Sequence, residues 1–220
     1  MQTTTDTTTA PVLATDDPRT SFGRAVAIAT ATVEGVRPDQ LDHPTPCEGM
    51  DVRDMFAHLV SALGMVEALA TGGDAMAVHD EPLRSGFAGA WSDAADRARA
   101  AWSDDAVLER PMALPWQQGT GADLLLGYVN EIVVHTWDVA VATQQSPEWE
   151  DEIVRLALDR MPGLPAEGRR EMFEQISADM GLDEVAVPFA EVVPLPDDAP
   201  AIDRLVAWNG RDPGWTPPRG

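Results

Sequence analysis

The sequence predicts an all-α protein, an antiparallel bundle of long helices with a small helical and irregular extension at its C-terminal end. Three observations carry this. Apolar residues recur at helical spacing along most of the chain, in segments bounded by capping residues, glycine or proline. Strand signals are few. One long segment, 121–143, is apolar nearly all round, which places it inside a layer of other helices.

Each element follows in order. Residues 1–15 are Thr-rich and lack periodicity, which predicts a disordered tail. Asp17-Pro18 reads as an N-cap followed by proline in the first helical turn. Phe22, Val26, Ala29 and Val33 then mark a helix over 18–35, closed by Gly35 and Pro38. After a Pro-rich loop to Gly49, Asp51 and Asp54 form a capping box with Asp in place of Glu. Behind it Val52, Met55, Phe56, Leu59, Leu63 and Val66 make one apolar stripe ending near Gly72. An Ala-rich helix covers 84–103, and 106–120 reads as an irregular or hairpin connection. The apolar helix 121–143 follows, then amphipathic helices over 148–161 and 165–178. A Pro-punctuated stretch from Val187 to Pro200 leads to a last helix over 200–209. The expected organisation is a bundle over 16–145 with an extension over 146–220 packed on it.

Composition excludes several classes of function. The 220 residues carry a net charge of −22, a surface that repels phosphate backbones and anionic lipid, so neither nucleic acid nor membrane is an expected partner. All fifteen basic residues are arginine, which removes Schiff-base and pyridoxal-phosphate chemistry and any Walker-type lysine. A single cysteine, Cys47, permits no internal disulfide and reads as a small buried hydrophobe, with an approach from its loop to the candidate site as the alternative. There is no uninterrupted apolar run of bilayer-spanning length and no basic-then-apolar leader pattern, so a cytoplasmic protein is expected.

The candidate chemistry lies on the apolar helix. At 100° per residue, Glu131, His135 and Asp138 fall within roughly 60° of one another. Glu131 and His135 are four apart, so their side chains lie side by side and can grip one cation. A buried carboxylate needs a cation or hydrogen-bond donors; a Glu–His hydrogen bond inside the bundle, with Asp138 exposed at a fraying end, is the bland alternative. His58, on the flank of its own helix beside Met55, Ala62 and Met65, is the natural third ligand. His43 and His79 read as solvated loop residues. Tyr128 shares the stripe, as a proton donor or a pocket wall. Asp138 reads as a hydrogen-bond acceptor orienting a ligand imidazole or as a contact between helices. Trp137 reads as core packing.

Three motifs carry a family resemblance: Thr45-Pro-Cys-Glu-Gly-Met-Asp-Val-Arg-Asp-Met-Phe-Ala-His58-Leu, Asn130-Glu-Ile-Val-Val-His135-Thr-Trp-Asp138, and the tail Asp197 to Pro213 with Trp208-Asn-Gly-Arg211-Asp-Pro. The chain resembles the mycothiol-dependent maleylpyruvate isomerase group of the DinB-like superfamily, in its actinobacterial metal-binding branch. The likeness runs from about residue 17 to 213. It implies a DinB-like four-helix bundle holding a divalent metal, with His58, Glu131 and His135 as ligands. Met50 stands where relatives usually carry Trp before the helix start, which points to the substrate side of the pocket. Arg211 is the residue that could reach an anionic substrate, with an ion pair to Asp203 or Asp212 as the alternative. The chain is shorter than the true maleylpyruvate isomerases, so their exact substrate does not transfer.

Two imidazoles and one carboxylate leave coordination positions open, the pattern of a catalytic site. The set suits Zn²⁺, with Ni²⁺ or Fe²⁺ acceptable. The resemblance implies a thiol-dependent transferase or isomerase, in which the metal activates mycothiol against an electrophilic small molecule. The alternatives are a metal-dependent hydrolase with Asp138 as base, and a non-catalytic, metal-stabilised binding protein. A homodimer is compatible with an exposed apolar helix face.

Overall fold

A computed structural model describes residues 17–82, 85–160, 165–179 and 189–218; the tail expected over 1–15 lies outside them. The protein is mostly helical. Helix α1 spans Pro18–Glu34, and the Asp17 carboxylate accepts from the Arg19 amide at 2.9 Å. Helix α2 spans Val52–Thr71. Its capping box is reciprocal: the Asp54 amide donates to the Asp51 side chain at 2.9 Å, and the Asp51 amide to the Asp54 side chain at 3.3 Å. It ends at Gly72, whose φ of 76° is left-handed backbone that favours glycine.

Helix α3 covers Phe87–Ala101, and the short α4 covers Asp105–Glu109. Strands β1 (Pro111–Leu114) and β2 (Gln117–Thr120) form an antiparallel hairpin with Pro111 opposite Thr120. Apart from an isolated antiparallel bridge between Pro44 and Asp51, this hairpin is the departure from an all-α fold among the described residues, and it resolves the connection expected over 106–120. Its second strand runs directly into α5, Gly121–Ala142, through a capping box between Thr120 and Asp123. Three further helices follow: α6 (Asp151–Asp159), α7 (Arg169–Asp179) and α8 (Ala201–Trp208). The α7 helix starts four residues later than its periodicity suggests, because Gly168 adopts a left-handed φ of 74°.

The core sits around α5, which packs against α1, α2, α6 and α8, while α3 closes the other side against α1 and α2. Leu124, Leu125, Val129, Ile132, Val134 and Val139 of α5 are completely buried. Length and apolar composition alone would let α5 cross a bilayer, but 78% of its most apolar window is covered by the rest of the protein. Two tryptophans from the α3 side are tied in by their indole N–H groups. Trp91 donates to Thr30 Oγ1 and Trp102 to the Val66 carbonyl, each at 2.8 Å. At the other end, Asn130 of α5 and Asn209 after α8 exchange amide hydrogen bonds of 3.3 and 3.2 Å, both residues buried. A buried amide pair of this kind fixes how the C-terminal segment lies on α5.

The start of α5 leaves no room for a larger residue. A Cβ on Gly121 would overlap the backbone carbonyl of Val107 in α4. Gly121→Ala is therefore expected to destabilise the protein by roughly 1–3 kcal/mol, read as a lower urea midpoint; an unchanged midpoint would contradict this packing.

Candidate metal centre

Helix α5 presents Glu131 and His135 one turn apart, and α2 presents His58 across from them. The Nε2 of His58 lies 2.9 Å from Glu131 Oε1, and the Nε2 of His135 lies 3.3 Å from the same oxygen. The two imidazoles meet edge to face with centroids 4.7 Å apart. Three donor atoms from two helices thus converge on one point, each within 4.8 Å of the others.

Carboxylates stand behind both rings. Asp80 Oδ2 lies 3.2 Å from His58 Nδ1, and Asp138 Oδ2 lies 3.0 Å from His135 Nδ1. An ionised carboxylate can only accept, so each Nδ1 carries the proton and each Nε2 faces Glu131. Asp80 is itself held by the Ser61 hydroxyl from α2. Asp138 is completely buried and gripped by Arg211, whose Nη2 donates at 3.0 Å and Nε at 3.3 Å. Helix α5 therefore does not fray here, and Arg211 pairs with Asp138 rather than with Asp203 or Asp212.

The electrostatics follow from this order. Burial works to lower the His58 pKa, but hydrogen bonds to Asp80 and Glu131 outweigh it and raise the group to about 10. Burial works to raise Glu131, yet the imidazole of His135 close beside it and the hydrogen bond from His58 hold it well below the ordinary carboxylate range. Asp138 is depressed as well, its burial outweighed by Arg211 and His135. A proton on His58 Nε2 thus occupies the place a cation would take, and the two compete.

The donor set fits a metal. Two ligand atoms on one tetrahedral ion, each ~2.0–2.1 Å from it, lie about 3.3 Å apart, close to the 2.9 and 3.3 Å observed. His135 Nε2 is the more telling atom. It is sealed from solvent and, despite its nearness to Glu131, makes no hydrogen bond. A buried imidazole nitrogen left unsatisfied in this way asks for a ligand along its lone pair.

The other residues singled out from sequence fall around this point. Tyr128 is buried one turn before Glu131, its hydroxyl without a hydrogen-bond partner. Trp137 is buried in the core region, as expected. Met50 packs partly buried against the core and closes the turn holding Cys47, its amide donating to the Cys47 carbonyl at 3.2 Å. Cys47 is buried and also reaches the site, forming a second cluster with His135 and Asp138. Burial is the main cause lifting its thiol to about 11. His43 is not a solvated loop residue: its Nδ1 lies 3.2 Å from the Ala142 carbonyl and ties the loop to the end of α5. His79 is exposed, as expected. Asp80 and Ser61 went unread in the sequence. Asp80 sits in a loop with no periodicity, and the only hint was a carboxylate in the stretch after the His58 helix. Two open clefts, of about 450 and 310 Å³, run along α1 and share no residue with this cluster.

Residues 22–140, from within α1 to the last turn of α5, match the family described as the mycothiol maleylpyruvate isomerase N-terminal domain, and the chain belongs to that family. It is also similar to two uncharacterized proteins from two strains of Mycobacterium tuberculosis, each 29% identical over 196 residues, covering 89% of this chain and 98% of theirs. No solved structure matches the chain.

Two outcomes test this geometry. Arg211→Met leaves the buried Asp138 carboxylate short of its cation and is expected to cost about 3 kcal/mol or more, read by urea denaturation; a loss under about 1 kcal/mol would contradict the pairing. The Cys47 thiol stays protonated at pH 8, so native protein should resist iodoacetamide there while urea-unfolded protein reacts. Equal labelling rates in the two states would contradict its burial.

Proposed function

We propose that the protein is a DinB-like four-helix bundle, α1, α2, α3 and α5 over residues 16–145, with residues 146–220 as an extension packed on it. It binds one divalent metal through His58, Glu131 and His135 and acts as a thiol-dependent transferase or isomerase. The observation carrying this reading is the convergence of three donor atoms whose two imidazoles are both backed by carboxylates, Asp80 and Asp138. Such backing fixes the Nε2-ligating tautomer and makes the ring a better ligand. Charge supports it too. Among the described residues Arg211 is the cation that meets Asp80, Glu131 and Asp138 once both imidazoles are neutral, and a divalent cation restores balance.

Zinc suits the nitrogen and oxygen donors best, with nickel and iron acceptable. The metal supplies Lewis acidity, which ionises a coordinating thiol at neutral pH. The protein's own part is to hold the site. Ser61 fixes Asp80, Asp80 orients His58, and Arg211 with Asp138 orients His135. His58 and Glu131 are a fifth to a quarter exposed, so the site opens to solvent on the His58 side while His135 forms its sealed floor. The family's mycothiol connection makes that thiol the favoured co-substrate, with a small electrophile as second partner. Asp138, which a metal-dependent hydrolase would need as base, is engaged by both Arg211 and His135. That disfavours the hydrolase.

Metal analysis of the purified protein tests the proposal. About one zinc per chain is expected in the wild type and none in His135→Ala; stoichiometric metal in that variant would refute the ligand set. Asp80→Asn is expected to bind metal roughly 10–100-fold more weakly, measured by chelator competition, and undiminished affinity would show that Asp80 does not support His58.

A further inference from the structure

Tyr128 is the one tyrosine of the chain, and it stands on the ligand face of α5, three residues before Glu131 and seven before His135. Residues at those spacings stack along one stripe of a helix. Its side chain is buried, and its hydroxyl is enclosed without a hydrogen-bond partner. Leaving such a group unpaired is costly, so a native protein that keeps one commonly has a use for it. Thr136 also holds an unpartnered buried hydroxyl, but it lies about 100° round the helix from His135, off the stripe.

Two sealed and unsatisfied polar atoms therefore share one face of α5: the Nε2 of His135 and the hydroxyl of Tyr128. The nitrogen offers a lone pair to a cation. The phenol is a donor, since burial first and the Glu131 charge second hold its proton on. No described side chain supplies an acceptor to the Tyr128 hydroxyl.

We propose that the Tyr128 hydroxyl donates a hydrogen bond to the sulfur of the thiol co-substrate, which makes Tyr128 a thiol-binding residue of this site. This rests on the metal-and-thiol reading above and assigns the atom that anchors the thiol beside the metal ligands. Sulfur suits the position because an ionised thiol accepts from a phenol while adding the negative charge that an open coordination position favours.

The test uses the full chain with cobalt in place of zinc and 2-mercaptoethanol as probe. Wild-type protein is expected to show a sulfur-to-cobalt charge-transfer band that saturates with thiol. In Tyr128→Phe the dissociation constant should rise roughly three- to tenfold. The band should also move to longer wavelength, because a hydrogen bond stabilises the sulfur lone pair and its loss narrows the gap. Cobalt content should not change, and Tm should hold or rise as an unsatisfied hydroxyl is removed. A variant with the wild-type dissociation constant and band position, or one that has lost cobalt, overturns the role given to Tyr128 and leaves the metal reading standing. A wild type that shows no band overturns the thiol reading and this proposal together.

Discussion

A carboxylate on the most apolar helix of the protein has to be neutralised where it lies, and Glu131 sets that requirement. The answer is a line of alternating charges that runs from the exposed Asp80 into the interior. Asp80 faces His58, His58 faces Glu131, Glu131 faces His135, His135 faces Asp138, and Asp138 faces Arg211. Each contact is sound by itself, but with neutral imidazoles the line holds more negative than positive charge. A proton on His58 makes up part of the difference, and a divalent cation between the rings makes up all of it. The cluster is thus organised around a position where positive charge, a proton or a cation, offsets its carboxylates.

The same line explains why the C-terminal segment belongs to the site although it lies outside the residues that match the family. Arg211 reaches back under His135, and Asn209 locks onto Asn130, the residue next to Glu131. Both anchors are buried and polar, so they fix position more strictly than apolar packing would. Helix α8, which immediately precedes both, packs on α5 and α6 and carries that constraint into the core. The segment from α8 to Arg211 is a brace for α5, and changes in it reach His135 through Asp138.

Much of this was legible in the sequence, for identifiable reasons. The caps at Asp17 and Asp51 are local signals, and both helices start where those residues say. The i, i+4 spacing of Glu131 and His135 on an apolar helix is a periodic signal that survives folding unchanged. His58 was offered as the third ligand by its place on the flank of its own helix and by the resemblance, while the facing of the two helices that brings it to Glu131 is a tertiary fact. Asp80 and Ser61 were out of reach for the same reason: a loop carboxylate has no period, and its role depends on where the chain returns. The partner of Arg211 was misjudged because nearby Asp203 and Asp212 are close in sequence, whereas Asp138 is close in space. His43 reads as solvated until the loop is seen lying against the end of α5.

Zinc-edge X-ray absorption on the purified, thiol-free protein tests the central claim most directly. Nitrogen and oxygen scatterers alone, at ~2.0–2.1 Å, are the result that His58, Glu131 and His135 predict. A sulfur scatterer at ~2.3 Å would place the ion on Cys47 and Asp138 instead. That would contradict the site built here.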